Sequence, residues 1–380
     1  MSSSLFEAEW GQVLSDAAEH GVTGILYRRL KAADPAHRPP ASAWQELRHA
    51  AHQIAAKNLS FAHELATILR ACRAAGLDCI PLRGLALAEQ LGWDLTARPM
   101  NDLDLLVRRE DLALAAETLT ALGYREIDRR PGFARTFSYT LEFIRSGTGQ
   151  PLVEPHWTIA YPPFADRVDM AKVWQRRRRG TVAGLDTSLL DPTDLLLHLC
   201  FHLIHKGEEA PLLWWYELHR LIRQQGASLD WPDIVLITHQ TGQGLFLAEA
   251  LNQLRQLFGS PVPPSVLALL TETGLAGRRA PACSGLEERL VRLLAGDDQV
   301  DGRESFAQLL TIKGLRPRLR FAFALLFPTS AFMRFHYGLS GRTQVAVWYV
   351  KRLLFLVREG AKGLARLIFP AGKSLPSSPS

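Results

Sequence analysis

Residues 100–107 read Met-Asn-Asp-Leu-Asp-Leu-Leu-Val, an apolar run that carries two carboxylates two positions apart. The run predicts a short buried strand, and because strand side chains alternate between two faces, Asp102 and Asp104 point the same way. Two carboxylates on one face repel each other unless a cation lies between them, and Mg²⁺ held by carboxylates and phosphates fits this arrangement. The alternative interpretation is a pair of surface aspartates on an edge strand, which the spacing by itself does not exclude.

The segment before this strand has the pattern of a phosphate-binding turn. Residues 78–84 form a short apolar run that ends in Arg83 and Gly84, and residues 85–91 have the composition of a helix. A glycine between a strand and a helix lets backbone N–H groups approach a phosphate, and Arg83 and Arg98 would add charged donors. The sequence therefore predicts a phosphate site at this turn.

A third carboxylate follows downstream. Residues 137–144 and 152–159 predict two strands that are joined by the loop 146–150. We expect Glu154, in the second strand, to complete a metal site or to take the proton from an attacking hydroxyl. His156 falls on the same strand face, where two interpretations stay open: contact with a phosphate or the acceptor, or packing that orients its neighbours.

Taken in order, these motifs resemble the bacterial uncharacterised nucleotidyltransferase family, a branch of the polymerase-β-type nucleotidyltransferase superfamily. The segments that carry the resemblance are Leu82-Arg83-Gly84, Arg98, Asp102-Leu103-Asp104-Leu105-Leu106-Val107, Leu122-Gly123-Tyr124 and Glu154-Pro155-His156-Trp157. It extends to the N-terminal helical residues 18–30 and to the histidine-bearing segment 196–202, and so covers most of the chain. The ordered set is much more specific than any one of its members.

The resemblance implies an α/β nucleotidyltransferase core, a small mixed sheet of four or five strands flanked by helices. It implies transfer of a nucleoside monophosphate from an NTP to a hydroxyl, with Mg²⁺ or Mn²⁺ as cofactor. The acceptor would be a small molecule, a saccharide or a peptide made by a bacterial biosynthetic cluster, or a protein. The residues that receive roles are, for catalysis and metal binding, Asp102, Asp104 and Glu154, and, for nucleotide binding, Arg83, Gly84, Arg98 and His156.

The sequence departs from the family pattern at three positions. Arg83 stands where the family usually has Lys, and a forked guanidinium is not equivalent to an ammonium. Leu85 follows the glycine where the wider superfamily has Ser. Pro155 follows Glu154, and because proline donates no ladder hydrogen bond, it predicts an edge position for that strand.

Two other functions use the same residues. One is a non-catalytic module that binds a nucleotide or a partner, which the Arg83 replacement favours and the three intact carboxylates oppose, because burying unused charge is unfavourable. The other is a phosphotransferase that moves the γ-phosphate. His198 and His202 share a helix face and have a zinc-binding spacing, but no third ligand is evident, and we expect them to line the acceptor pocket. Glu217 stands where the family often has an acid, and the resemblance implies that it faces the active-site cleft.

Composition indicates a globular protein of two or three domains, since 47% of its 380 residues are hydrophobic and 22% are charged. The four cysteines show no CxxC pattern, which predicts reduced thiols and a cytoplasmic location. We expect no signal peptide and no transmembrane segment, because no run reaches the ~18 apolar residues that a membrane-spanning helix needs.

Positive charge is concentrated at the C-terminus. Residues 313–380 contain twelve Lys or Arg and one acid, Glu359, whereas the rest of the chain contains 32 Lys or Arg and 37 acids. This distribution argues against a nucleic-acid groove across the body. Val345–Phe369 predicts a helix with a wide apolar face and a narrow cationic stripe, either packed on the domain with one solvated edge or lying on an anionic membrane as a peripheral contact.

The chain is expected to divide into five segments. They are an N-terminal helical segment (1–75), the nucleotidyltransferase core (76–165), a helical acceptor-side domain (166–312), a basic amphipathic helical tail (313–373) and a disordered Ser/Pro-rich end (374–380).

Overall fold

The structure is a computed structural model, and it forms two compact units. The first comprises Met1–Ile127 and Ser138–Gly277, and the second comprises Asp128–Phe137 and Arg278–Ser380. The predicted disordered end, 374–380, lies outside the described residues, and the finer predicted boundaries stay predictions. The residues described are 3–34, 38–127, 133–147, 149–162, 164–207, 210–279, 309, 312, 314–339 and 341–368.

Three helices open the first unit, as the sequence predicts: α1 (Ser3–Glu19), α2 (Thr23–Ala32) and α3 (Ala41–Ala74). They pack around a small core of their own. Its buried members are Leu14, Tyr27, Ala43, Leu47 and Ala51. Tyr27 stacks on Trp44 with 5.4 Å between the ring centroids, which ties α2 to α3.

A mixed five-stranded sheet follows, which confirms the predicted α/β core. Its strands are β1 (Cys79–Leu82), β2 (Asp102–Val107), β3 (Arg125–Glu126), β4 (Phe143–Ile144) and β5 (Leu152–His156), in the spatial order β1-β2-β5-β4-β3. The helix α4 (Gly84–Gln90) follows β1, and α5 (Leu112–Ala121) follows β2. β2 is antiparallel to β1 and parallel to β5, so the acidic strand is central. Its side chains after Asp102 are all buried, in keeping with the apolar run.

The edge position predicted for the Glu154 strand is wrong, because β5 lies between β2 and β4. The missing N–H of Pro155 faces residues 139–141, where pairing reduces to a bridge between Thr140 and His156. The Leu141 carbonyl, which a residue with an N–H at position 155 would bond, accepts instead from the Thr140 hydroxyl at 3.0 Å. The same hydroxyl lies 3.0 Å from the Pro155 carbonyl, so a side chain replaces the lost ladder bond.

The first of the two strands predicted around the loop is shorter than expected. Phe137 ends the short helix α6 (Phe133–Phe137), and only residues 143–144 of the predicted 137–144 form a strand. Pro155 explains part of this loss, since it interrupts the ladder where residue 141 would pair. The second strand ends at His156, three residues before the predicted end.

The helical prediction for the segment after residue 165 is wrong at residues 178–189. The helix α7 (Met170–Arg176) is followed by a hairpin of β6 (Arg178–Val182) and β7 (Leu185–Leu189). Ala183 and Gly184 form its turn with φ of 51° and 72°. Two consecutive positive φ angles match the twist of a tight two-residue hairpin. The turn at these residues therefore favours a pair of strands over a continuous helix.

The rest of the first unit is helical: α8 (Pro192–Lys206), α9 (Leu212–Gln225), α10 (Trp231–Thr241), α11 (Gly244–Phe258) and α12 (Pro264–Arg279). Asp191 caps α8 by accepting from the Thr193 N–H, and Pro192 occupies the first turn. These helices share one apolar core with the sheet. Fully buried members of this core include Ile80, Leu106, Leu197, Ile222 and Leu251.

In its described residues, the second unit contains α6 and three C-terminal helices, α13 (Leu315–Leu326), α14 (Ser330–Tyr337) and α15 (Arg342–Ile368). Phe321 of α13 is fully buried against the rings of α6. Phe332, Met333 and Val345 form a small core between α14 and α15. Among the described residues, no helix is both long and apolar enough to cross a bilayer.

Gly24 allows α2 to approach the loop that carries Arg98. A Cβ at position 24 would lie 1.8 Å from the Thr96 carbonyl oxygen and 2.9 Å from the Ala97 Cα, and backbone cannot move aside as a side chain can. We therefore expect Gly24→Ala to lower the free energy of unfolding by about 3 kcal/mol, measured by urea denaturation. Gly11→Ala in α1 is the control, because nothing lies within 4 Å of its added Cβ. Equal stabilities of the two variants would contradict this close approach.

Candidate active site

The parallel pairing of β2 and β5 places the acidic side chains together. Asp104 is in register with Glu154, and Leu106 with His156. Residues in register on parallel strands point to the same face, so Asp104, Glu154 and His156 line one face of the sheet. One ligand atom of each lies within 4.8 Å of those of the other two. We call these three residues the acidic cluster; no second such group occurs in the part of the chain that the structure describes.

The two carboxylates of the acidic cluster fit a hard divalent cation such as Mg²⁺ or Mn²⁺. Its imidazole is a ligand that is more typical of transition metals. Asp104 and His156 are buried, with 5% and 3% of their surface exposed, whereas Glu154 is half-buried. The cluster therefore reaches the solvent on its Glu154 side, where water or phosphate oxygens would complete the coordination.

Asp102 lies outside the acidic cluster. It shares its strand face with Asp104 but sits two residues nearer the start of β2, and it is half-buried. Burial and the negative charge of Asp104 raise the pKa of Asp102, while Arg83 and Arg98 act in the opposite direction. The predicted role of Asp102 as a metal ligand stays a prediction.

Glu154 holds a proton at neutral pH in the absence of a cation. Burial and the negative charges of Asp104 and Asp102 raise the pKa of Glu154 to about 9, and the protonated carboxyl donates a hydrogen bond to Asp104. A second negative charge is unfavourable beside a buried carboxylate, so the pair shares a proton. A bound divalent cation would remove this penalty, and so binding would release the proton.

Asp104 is neutralised by a residue of the chain itself. The Arg83 guanidinium forms an ion pair with Asp104 Oδ2, and His156 Nε2 lies 3.3 Å from Oδ1. Burial by itself would raise the pKa of Asp104, but the charge of Arg83 and the hydrogen bonds from His156 and Arg83 together hold this pKa well below its usual range. Arg83 thus supplies the positive charge that the sequence predicts for a metal. The predicted contact of Arg83 with a phosphate requires the guanidinium to leave this pair.

The turn that presents Arg83 has an unusual backbone. Arg83 has φ 44° and ψ −139°, and Gly84, the first residue of α4, also has φ 44°. A positive φ is accessible to glycine, which explains Gly84, but it is strained for arginine by roughly 1–3 kcal/mol. From this turn the Arg83 side chain forms its ion pair with Asp104. The predicted phosphate contact at Gly84 stays a prediction.

His202 and Tyr161 form a hydrogen-bonded chain that contacts the Arg83 guanidinium. Arg83 Nη1 lies 2.5 Å from His202 Nε2, and because arginine only donates, His202 Nε2 accepts and its proton is on Nδ1. His202 Nδ1 therefore donates to the Tyr161 hydroxyl, 2.5 Å away. Burial and Arg83 keep the pKa of His202 well below its usual range, so the ring is neutral. Tyr161 is not predictable from the sequence, since no local pattern links it to a histidine 41 residues later.

His198 does not join His202 in a metal site. Its Nδ1 donates to the Ile159 carbonyl at 2.9 Å, so its Nε2 carries a lone pair, and that atom is buried without a hydrogen-bond partner. Burial and the charge of Arg83 lower the pKa of His198 to about 3. The ring is therefore neutral and anchors α8 to the segment after β5. Its expected place in an acceptor pocket stays a prediction.

Arg98 is fixed by Glu217 of α9. Its Nε donates to Glu217 Oε1 at 2.5 Å, and both side chains are buried. Asn58 donates to the Arg98 carbonyl at 2.6 Å, which fixes the backbone at the same position. Arg98, which was predicted to contact a phosphate, and Glu217, which was predicted to face the cleft, thus form an ion pair with each other. The predicted contact of Arg98 with a phosphate stays a prediction.

Comparison with known proteins identifies one relationship. A sequence model of the family described as uncharacterised nucleotidyltransferase matches residues 7–259, which include the whole sheet and the helices α8 and α9. No curated protein and no solved structure shows significant similarity to the chain.

Proposed function

The chain belongs to this uncharacterised nucleotidyltransferase family, and on that basis we propose that it transfers a nucleoside monophosphate from an NTP to an acceptor hydroxyl, with Mg²⁺ or Mn²⁺. The observation that carries the proposal is the register of Asp104 and Glu154 on adjacent parallel strands. It gathers two carboxylates and an imidazole at ligand spacing beside a glycine turn. A nucleotidyl transfer site needs carboxylates that hold metal ions next to a place for phosphates.

We propose separate roles for the side chains in metal binding, proton transfer and phosphate binding. Asp104, Glu154 and His156 would hold the metal, with Asp102 at the mouth of the site. When bound, the metal supplies positive charge to the phosphate oxygens. Glu154, once it has lost its proton, is alternatively the group that accepts the proton of the acceptor hydroxyl. Arg83, Arg98 and the Gly84 turn are proposed to contact the nucleotide phosphates.

The acceptor is proposed to be a small molecule, saccharide, peptide or protein that carries a hydroxyl, and the reaction is proposed to take place in the cytoplasm. The helices after residue 166 would supply the acceptor pocket. His198, His202 and Tyr161 support this placement, because they bring α8 to the edge of the acidic cluster.

The test measures which phosphate of a labelled NTP is transferred to an acceptor. Wild-type protein is incubated with Mg²⁺, a cell extract, and NTPs labelled at the α or the γ position. Label transferred to an acceptor from the α position, and lost with EDTA, is the expected result. Transfer from the γ position alone would instead assign a phosphotransferase, and an absence of transfer in every NTP would contradict both enzymes.

One observation favours a second candidate, a non-catalytic module of the same fold. The Arg83–Asp104 ion pair gives the site an internal cation, so the carboxylates are balanced without metal. Such a module would bind an NTP without turnover and would keep this binding in EDTA. The enzyme would need the divalent ion for turnover. Nucleotide binding measured with and without EDTA separates the two.

A further inference from the structure

Helix α15 exposes apolar side chains on the side opposite its packed face. Val345, Trp348 and Tyr349 pack toward α14, and Arg352 donates to the Tyr337 hydroxyl at 2.8 Å. At 100° per residue, a second row falls on nearly the opposite side of the helix. This row, the outer face of α15, consists of Val347, Val350, Leu354 and Val357.

The outer face of α15 is strongly exposed. Val350, Leu354 and Val357 expose 60%, 66% and 62% of their surface. The row spans about 15 Å of helix, which is three turns. Polar residues normally occupy the outer face of a surface helix, so a continuous apolar row there indicates a binding surface. Of the two interpretations of this helix, packing on the domain accounts for the face that carries Val345, and the exposed apolar row favours a membrane contact.

Helix α13 repeats the pattern within the same unit. Leu315, Leu319 and Phe323 recur every four residues and expose 74%, 60% and 64% of their surface. Phe327, directly after the helix, is 53% exposed. Two helices of the second unit thus carry exposed apolar rows, although each also has a packed face.

Basic residues accompany both rows. Lys351 and Arg358 are exposed and lie beside the outer face of α15 on the helical wheel, and Arg316 and Arg320 lie beside the row of α13. Residues 314–368 contain ten Lys or Arg and one acid. The apolar rows therefore lie in a strongly positive surface.

We propose that the outer face of α15, together with the exposed row of α13, binds the surface of an anionic lipid bilayer. Apolar side chains would enter the acyl boundary while Lys and Arg contact anionic headgroups. A second copy of the chain is disfavoured, because it would bring the same positive charge to the interface. Nucleic acid would satisfy the basic residues but would leave the apolar rows in water. Because no described helix can cross a bilayer, the contact is with one surface of it.

Sedimentation of the full chain with lipid vesicles tests the proposal. The vesicles are phosphatidylcholine alone or phosphatidylcholine mixed with phosphatidylglycerol. We expect affinity for the anionic vesicles to be at least about tenfold higher, and to fall as salt is added. Lys351→Gln with Arg358→Gln should remove about tenfold of this affinity and change little on neutral vesicles.

The apolar contribution has its own variant and control. Val350→Ser with Leu354→Ser should weaken binding to anionic vesicles by about tenfold or more. Leu257→Ser, which removes a side chain of α11 with 62% exposure, is the matched control and should bind as wild type does. Thermal melts establish that each variant is folded. The proposal would be overturned if folded wild-type protein did not bind anionic vesicles. It would also be overturned if the apolar double variant lost self-association, or lost binding to another protein, but still bound vesicles.

Discussion

Glu154→Gln is expected to lower metal-dependent turnover by at least about a hundredfold, because it removes a metal ligand or the group that accepts a proton. Glutamine is isosteric with protonated glutamic acid, which is the form that Glu154 takes at neutral pH in the metal-free protein. The variant therefore preserves the metal-free site and changes only what ionised Glu154 does. The measurement is the initial rate of label transfer with saturating Mg²⁺.

The same variant should gain stability. Glu154 has a pKa of about 9 in the folded protein, against an ordinary value of 4.5 in the unfolded chain. The folded state therefore binds the proton more tightly, and the wild-type metal-free protein loses stability as pH rises from 4.5 toward 9. Glutamine does not ionise, so Glu154→Gln should melt at a higher temperature than wild type, by a difference that grows across this window. A variant that loses activity and also stability would contradict this account.

The affinity for the metal should also depend on pH, because the same Glu154 proton must leave. Below about pH 9 the wild-type protein must release a proton to bind the cation, so its apparent affinity should rise about tenfold per pH unit. In Glu154→Gln this slope should vanish along with most of the affinity. Calorimetry in buffers of different ionisation enthalpy counts the protons released. Asp166→Asn is a suitable control, since this aspartate is exposed and lies outside the acidic cluster.

The periodicity of the sequence was sufficient to predict the buried strand and the shared face of its two aspartates. Strand alternation placed Asp102 and Asp104 on one face, and the apolar run around them indicated a buried strand. The strand predicted at residues 152–159 supplied Glu154 as a third carboxylate, and the structure brings Glu154 beside Asp104 by parallel pairing. Parallel partners are distant along the chain, so residue spacing alone does not reveal their register.

The features that differ from the sequence-based predictions depend on tertiary contacts. Pro155 was expected to mark an edge, but the Thr140 hydroxyl supplies the hydrogen bond that proline cannot. Arg83 was expected to reach a phosphate, whereas its side chain is held by Asp104 and by His202, a residue 119 positions away. Both outcomes depend on partners that no short motif contains, and both lie at or beside the site.

Arg83→Met is expected to destabilise the metal-free protein by about 3–5 kcal/mol, because it leaves Asp104 as a buried carboxylate without its counter-ion. The His202 Nε2 acceptor would lose its donor in the same step. Urea denaturation in EDTA measures the loss. Arg83→Lys keeps the charge but loses the fork that joins Asp104 to His202, so its destabilisation should be smaller.

Added Mg²⁺ should reverse much of this loss. If the acidic cluster binds the metal, the cation replaces the charge that Arg83 supplied, and it binds without having to displace a guanidinium. The increase in melting temperature caused by Mg²⁺ should therefore be larger in Arg83→Met than in wild type. Arg176→Met is the matched control, because Arg176 pairs with the fully buried Asp194 at 2.5 Å, outside the acidic cluster. It should be destabilised as well, but Mg²⁺ should not restore it. Equal responses of the two variants to Mg²⁺ would show that Arg83 does not occupy the place of a metal, and the carboxylates would then serve the ion pair alone.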